Sequence, residues 1–222
     1  MAMCLMFLED LIRVCEPIRK LASEQRLVFM IDLKLAKGTA DEWAMDLVLG
    51  PPEEISRKPK HKVAGIAEGK PREIWFAMDA KSIMTEHGKA RRNRFRDITA
   101  LEQRVHRLNE RAVVGACVAL NAAQTFRSQL RDEGDVTVHK NIERLIAQTV
   151  ELFEGFGRAA AAVGAKPIEG LSVIVVDHTN EPGRTTKLLR EKPAPGAQSP
   201  LRYENFLRSI CQRLSERFGQ IA

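Results

Sequence analysis

Apolar residues fall into two periods along this chain, and the change between them predicts its elements. From residue 4 to 25, Leu8, Leu11, Ile12, Cys15, Ile18 and Ala22 recur at steps of three and four, which predicts a helix. Pro17 marks a kink in it or the first turn of a second helix. Leu27–Leu33 and Trp43–Gly50 read as strands, with a turn at Lys37-Gly38-Thr39 between them. A third apolar run, Ile74–Met78, leads directly into Asp79-Ala80-Lys81. Between the second and third runs lies a Pro-, Lys- and Gly-rich stretch. Within it, Val63–Ile66 is expected to pair with Ile74–Met78 as a hairpin turning at Gly69 and Pro71.

The period returns to 3.6 after the Thr85-Glu86-His87-Gly88 turn. Phe95, Ile98, Leu101, Val105 and Leu108 form one stripe, with Lys89, Arg96, Arg104, Arg107 and Arg111 opposite it. Arg91 and Arg94 fall near the apolar side, so either the helix begins near Asn93 or those two guanidinium groups point inward at an anion. Val113–Leu120 is a continuous apolar run, expected as a buried strand ending at Asn121. Residues 122–139 read as a polar loop or flap, and a helix follows from Asn141 to about Ala162. Leu171–Val176 reads as another buried strand, running into Asp177-His178. A proline-rich excursion over 181–200 follows, then a last helix from Leu201 to Phe218. Residues 1–222 are expected to form one domain, with a core over about 4–121 and an elaboration over 122–222.

Composition narrows the function classes. Hydrophobic residues make up 44%, which reads as globular, and aromatics only 5%, which argues against a surface that binds single strands by stacking. Net charge is +6, and the segment from Lys81 to Arg111 alone holds nine basic residues against four acidic ones. Such a local excess suits a polyanion, although a solvated helix face gives the same pattern. Cys4, Cys15, Cys117 and Cys211 are far apart with no CxxC pair, so neither a zinc ribbon nor a disulfide framework is expected, and a reducing cytoplasm fits. The apolar start lacks a basic n-region and meets Glu9-Asp10, so neither a signal peptide nor a membrane span is expected.

The candidate chemistry lies in three side chains. A carboxylate and an ammonium two residues apart on a strand share one face, and their burial is costly unless something uses them. Asp79 and Lys81 meet that description, and Asp46 is the lone acid of the preceding strand. Two strand-borne carboxylates and a lysine suit a divalent cation and an activated water. The lysine would orient or deprotonate that water, and a lysine beside a metal in a partly dry site can have a lowered pKa.

With Asp46 on the second strand, Asp79-Ala80-Lys81 on the third and the order helix, three strands, helix, strand, the chain resembles the restriction-endonuclease-like nucleases, the PD-(D/E)xK superfamily. It departs from their pattern in having Met45 before the first acid and Asp79 where glutamate is commoner. The resemblance implies an α/β fold with a mixed β-sheet (α-β-β-β-α-β core) flanked by helices. It implies a DNA endonuclease with Mg²⁺ as cofactor, Mn²⁺ substituting. The metal would be held by Asp46, Asp79 and the Ala80 carbonyl, with Asp46, Asp79 and Lys81 as the catalytic set. Lys89, Arg91, Arg92, Arg94 and Arg96 would hold flanking phosphates. A homodimer in the cytoplasm, one subunit per strand, is the matching assembly. A non-cutting nucleic-acid-binding or partner-recruiting protein on the same scaffold, and an unrelated α/β protein in which Asp79 and Lys81 form a plain ion pair, are the alternatives.

Overall fold

The structure is a computed structural model and describes residues 1–35, 42–128, 132, 135–156 and 168–219. The chain opens with α1 (Ala2–Val14) and α2 (Glu16–Ser23). They are separated at Cys15, whose backbone is extended, and Pro17 lies in the first turn of α2, where its missing N–H costs nothing. The periodic stripe over 4–25 is therefore two helices. Strands β1 (Val28–Leu35) and β2 (Trp43–Gly50) follow, then β3 (Pro52–Ile55), β4 (Ala67–Pro71) and β5 (Phe76–Ile83). Helix α3 (His87–Leu108) crosses over to β6 (Val113–Asn121). The C-terminal part supplies β7 (Thr125–Arg127), β8 (Val136–Val138), α4 (Ile142–Glu154), β9 (Gly170–Asp177), β10 (Lys187–Leu189) and α5 (Tyr203–Phe218). Among the described residues this is a mixed α/β protein of five helices, an eight-stranded mixed sheet and the small β7–β8 hairpin.

The sheet runs β10-β9-β6-β5-β2-β1-β4-β3. β1, β2 and β5 pair antiparallel, while β5, β6 and β9 run parallel in the centre. The central parallel strands are covered on both faces, which is why β6 reads as an unbroken apolar run. On one face α1, α2 and α5 bring Phe7, Leu11, Ile18, Phe206 and Ile210 onto Phe29, Leu47, Phe76 and Met78. On the other, α3 sets Leu101 and Val105 on Met45, Val48, Ala77 and Val114, and α4 sets Ile146 and Phe153 over Val118 and Val173.

Three expectations change. The hairpin before β5 is β3–β4, with β4 also parallel to β1, and Val63 makes only an isolated bridge to Ile66 around Gly65. Ile74–Met78 is unavailable to Val63–Ile66 because β5 has β2 on one edge and β6 on the other. Helix α3 begins at His87, behind a left-handed Glu86, so Arg91 and Arg94 are helical. Cys15 and Cys211, 196 residues apart, form a disulfide that ties the α1–α2 junction to α5. Spacing could not show it, since the two cysteines meet only because these helices share one face of the sheet. The expected turn at Lys37-Gly38-Thr39 and residues 157–162 lie outside the described residues, and the helix expected from Asn141 to about Ala162 stops, as α4, at Glu154 with Gly155 as its cap. Among those described, no helix is long and apolar enough to cross a membrane.

Candidate functional site

The site forms where the sheet ladder opens. Pairing between β2 and β5 runs from Leu49–Phe76 to Leu47–Met78 and stops there. The next residues are Asp46 and Asp79. Opposite Asp46 on β1 stands Asp32, which breaks the β1–β2 register with a positive φ of 52°. The strands change face at this point: Ile31 and Leu47 enter the α1–α5 core, whereas Leu33 and Met45 enter the α3 core. Asp46 sits at the change. On β5 the alternation holds, with Phe76 and Met78 facing the α1–α5 layer and Ala77 facing α3.

The three side chains converge. Lys81 Nζ is 3.0 Å from Asp79 Oδ2 and 3.6 Å from Asp46 Oδ2. Asp46 Oδ2 also accepts the Ala80 backbone N–H at 2.7 Å, taking the place of a strand neighbour. Asp79 is the most enclosed, its side chain 8% exposed against 24% for Lys81 and 27% for Asp46. Its Oδ1 is buried with no hydrogen-bond partner. Burial pushes the Asp79 carboxyl above its ordinary value, against the pull of Lys81. Burial alone would lower Lys81, but attraction and hydrogen bonding from Asp79, with Asp46 behind it, prevail and hold the ammonium above its usual range. Two acids facing one base account for that direction.

A cleft of about 460 Å³ opens onto Asp79 and Lys81, with Asp46 behind them and outside its lining. Trp43, Arg94, Arg96, Asp97 and Arg104 line it together with Asp79 and Lys81. Arg94 donates to Asp97 at 2.7 Å, and its Nε is buried without a partner. The Arg104 guanidinium lies 5.2 Å from the centre of the Trp43 ring. Of the five basic residues expected to hold phosphates, Arg94 and Arg96 line the cleft. Lys89 and Arg92 are exposed on α3 outside its lining, and Arg91 donates to Gln148 of α4 at 2.9 Å. Sequence reasoning missed Arg104 and Trp43 as a pair, although the helical wheel had already placed Arg104 on the polar side.

The other expected candidates are structural. Asn121 knits the ends of β6 and β9 together, accepting the His178 N–H at 3.0 Å and donating to the His178 carbonyl at 2.8 Å. His178 Nδ1 meets the Thr186 hydroxyl at 2.8 Å, so Asp177-His178 is a satisfied strand-end turn. Among the described residues, no group of three or more His, Cys, Asp and Glu side chains is placed to hold a metal.

The chain matches no model of a known protein family, no curated protein and no solved structure. What the site can do therefore rests on its own chemistry. The donor set fits a hard divalent cation: two carboxylates on adjacent strands, one of them with a buried oxygen that nothing else satisfies. The cleft above it, with Arg94, Arg96 and Arg104 on its walls, suits a phosphate-bearing chain.

Proposed function

We propose that this protein is a Mg²⁺-dependent DNA endonuclease of restriction type, on the restriction-endonuclease-like fold that its sequence resembles. The observation that carries the reading is the convergence of Asp46, Asp79 and Lys81, the latter two lining an arginine-rich cleft, with Asp79 Oδ1 buried and unpartnered. The antiparallel β1-β2-β5 unit, the α3 crossover and parallel β6 supply the matching core order, with β3–β4 as an insertion.

Asp46 and Asp79 would hold the ion, with the Ala80 carbonyl as a further oxygen. When bound, Mg²⁺ supplies the charge that makes a water acidic near neutral pH and steadies a departing oxyanion. Lys81, released from its pairing with Asp79, orients the attacking water and offsets charge at the scissile phosphate. Arg94 and Arg96 fix the flanking phosphates from α3. Two subunits, one per strand, would give a double-strand cut.

A second reading has its own observation. Lys81 lies within 3.6 Å of both carboxylates, an arrangement that also suits a scaffold that binds nucleic acid without cutting. Plasmid nicking separates the two. Under the first reading the protein nicks supercoiled plasmid with Mg²⁺ or Mn²⁺, and Asp79→Ala and Lys81→Ala each abolish nicking while DNA binding in Ca²⁺ persists. Binding without nicking in the unaltered protein establishes the second. Absence of DNA binding at low salt overturns both.

A further inference from the structure

The least satisfied buried group lies away from the carboxylates, between the start of α3 and the β7–β8 hairpin. His87 is 1% exposed, and beyond a weak interaction with the Asn121 backbone neither of its ring nitrogens has a hydrogen-bond partner. The facing ring is that of His139, just after β8, with centroids 5.3 Å apart and planes at 86°. His139 Nδ1 lies 2.7 Å from the Ala123 carbonyl oxygen. A carbonyl only accepts, so Nδ1 carries the proton, and the neutral ring presents its lone pair at Nε2. That Nε2 is buried and unpartnered as well. Of the six buried side-chain polar atoms without a partner among the described residues, three belong to this one pair. Each unmet atom costs about 1–3 kcal/mol, so the pair as it stands is expensive.

The arrangement is that of ligands. A histidine whose Nδ1–H is anchored on a carbonyl, leaving Nε2 free, is a common outer arrangement around a bound metal. Burial, with His139 beside it, pushes the His87 pKa down to about 4, only partly opposed by the nearby Asn121 backbone, so His87 is the neutral imidazole that metals require. With zinc–nitrogen bonds of about 2.1 Å and a tetrahedral angle, two ligating rings have centroids about 5 Å apart, close to the spacing found.

We propose that His87 and His139, the latter through Nε2, hold one divalent first-row transition-metal ion of the Zn²⁺ class, which clamps the β7–β8 hairpin to the N-terminus of α3. No third His, Cys, Asp or Glu among the described residues joins the pair, so oxygen from backbone or water completes the shell and the affinity is modest. The α3 N-terminus opposes a cation only weakly, less than the relief of one unmet nitrogen on each ring. The ion is distinct from the one proposed at Asp46 and Asp79, which takes oxygen ligands only.

The test is a calorimetric titration of the chelator-treated full chain with Zn²⁺ alone, alongside the melting temperature. One equivalent is expected to bind and to raise the melting temperature. His139→Gln and His87→Gln weaken binding by more than about a hundredfold, beyond what outer-shell changes cost. His178→Gln and Asp79→Ala keep it. An anomalous-scattering peak between the two rings of the unaltered protein decides the matter should either glutamine variant fail to fold. Zinc binding unchanged in His139→Gln, binding lost in Asp79→Ala, or a water alone between the rings overturns the proposal.

Discussion

His106 is the buried histidine with the most partners, and its removal gives a stability prediction with a defined pH window. Its Nδ1 is 2.7 Å from Glu102 Oε1, and its Nε2 is 3.1 Å from the Ala112 carbonyl and 3.6 Å from Glu169 Oε1. Arg217 of α5 reaches the same Glu169 oxygen at 2.7 Å, so four elements meet here: α3, the start of β6, the start of β9 and the end of α5. The nearby Glu169 carboxylate is the largest influence. With Glu102, it outweighs burial and raises the imidazole from 6.5 to about 9. The ring is only 9% exposed, so solvent screening takes little from this interaction. The folded protein therefore holds the proton more tightly than the unfolded chain does. The resulting stability is complete below about pH 6.5 and is lost as pH rises through about 9. At about 1.4 kcal/mol per unit, the shift corresponds to roughly 3 kcal/mol. Glu169, held below its ordinary value by His106, the Val114 N–H and Arg217 despite burial, adds a loss on the acid side as pH falls through the carboxylate range. Urea unfolding at pH 6, 7.5 and 9 should show the unaltered protein losing about 3 kcal/mol across the series and His106→Gln losing little. An equal slope in His106→Gln would show that the network does not set the pH dependence.

The disulfide, the cleft and the strand crossing each give a further expectation. Replacing Cys15 and Cys211 by serine should cost about 2–4 kcal/mol in urea unfolding, since the bridge closes most of the chain into one loop. Cys4 and Cys117, whose thiols burial pushes up to about 12, should stay unmodified by iodoacetamide in the folded protein. Arg96→Ala and Arg104→Ala should each weaken DNA binding uniformly across sequences and lower the salt slope by about one, read by fluorescence anisotropy. Asp32→Val should lower stability by about 1–2 kcal/mol and reduce nicking, because a β-branched residue resists positive φ, whereas Asp32→Gly should keep both.

Much of this was legible in the residues. The periods located α1–α2, β1, β2, β5, β6, β9 and α5 within a few positions, because each carries a continuous or strictly spaced apolar face. Asp79 and Lys81 could be placed together because a strand's period is two. Their meeting with Asp46 rested on β2 and β5 being neighbours, which sequence order favours but does not fix. What stayed hidden depends on the third dimension or on backbone that breaks its own period. Asp32 reads as an ordinary polar position in a strand, yet its positive φ is where the faces exchange. Cys15 reads as a helix-core position and Cys211 falls beside the core stripe of the last helix, and nothing along the chain pairs them. His87 reads as a turn residue bonded to backbone, whereas it opens α3 with only a weak interaction with the Asn121 backbone.

The distribution of unmet atoms ties the two sites together. A domain of this kind is stable by only about 5–15 kcal/mol, so it tolerates few buried polar atoms that cost about 1–3 kcal/mol each. The described residues leave six such side-chain atoms. Asp79 Oδ1 and Arg94 Nε border the arginine-lined cleft, and three nitrogens belong to His87 and His139. Only Thr179 Oγ1 lies with neither. Random imperfection of packing would scatter these atoms, and most would lie where no ligand could reach them. Instead, oxygen and guanidinium gather where a hard cation and a phosphate would sit, and imidazole gathers where a softer ion would. A cation and a phosphate at the cleft and one ion between the rings would satisfy four of the six, which is a simpler account of their positions than four separate failures of packing.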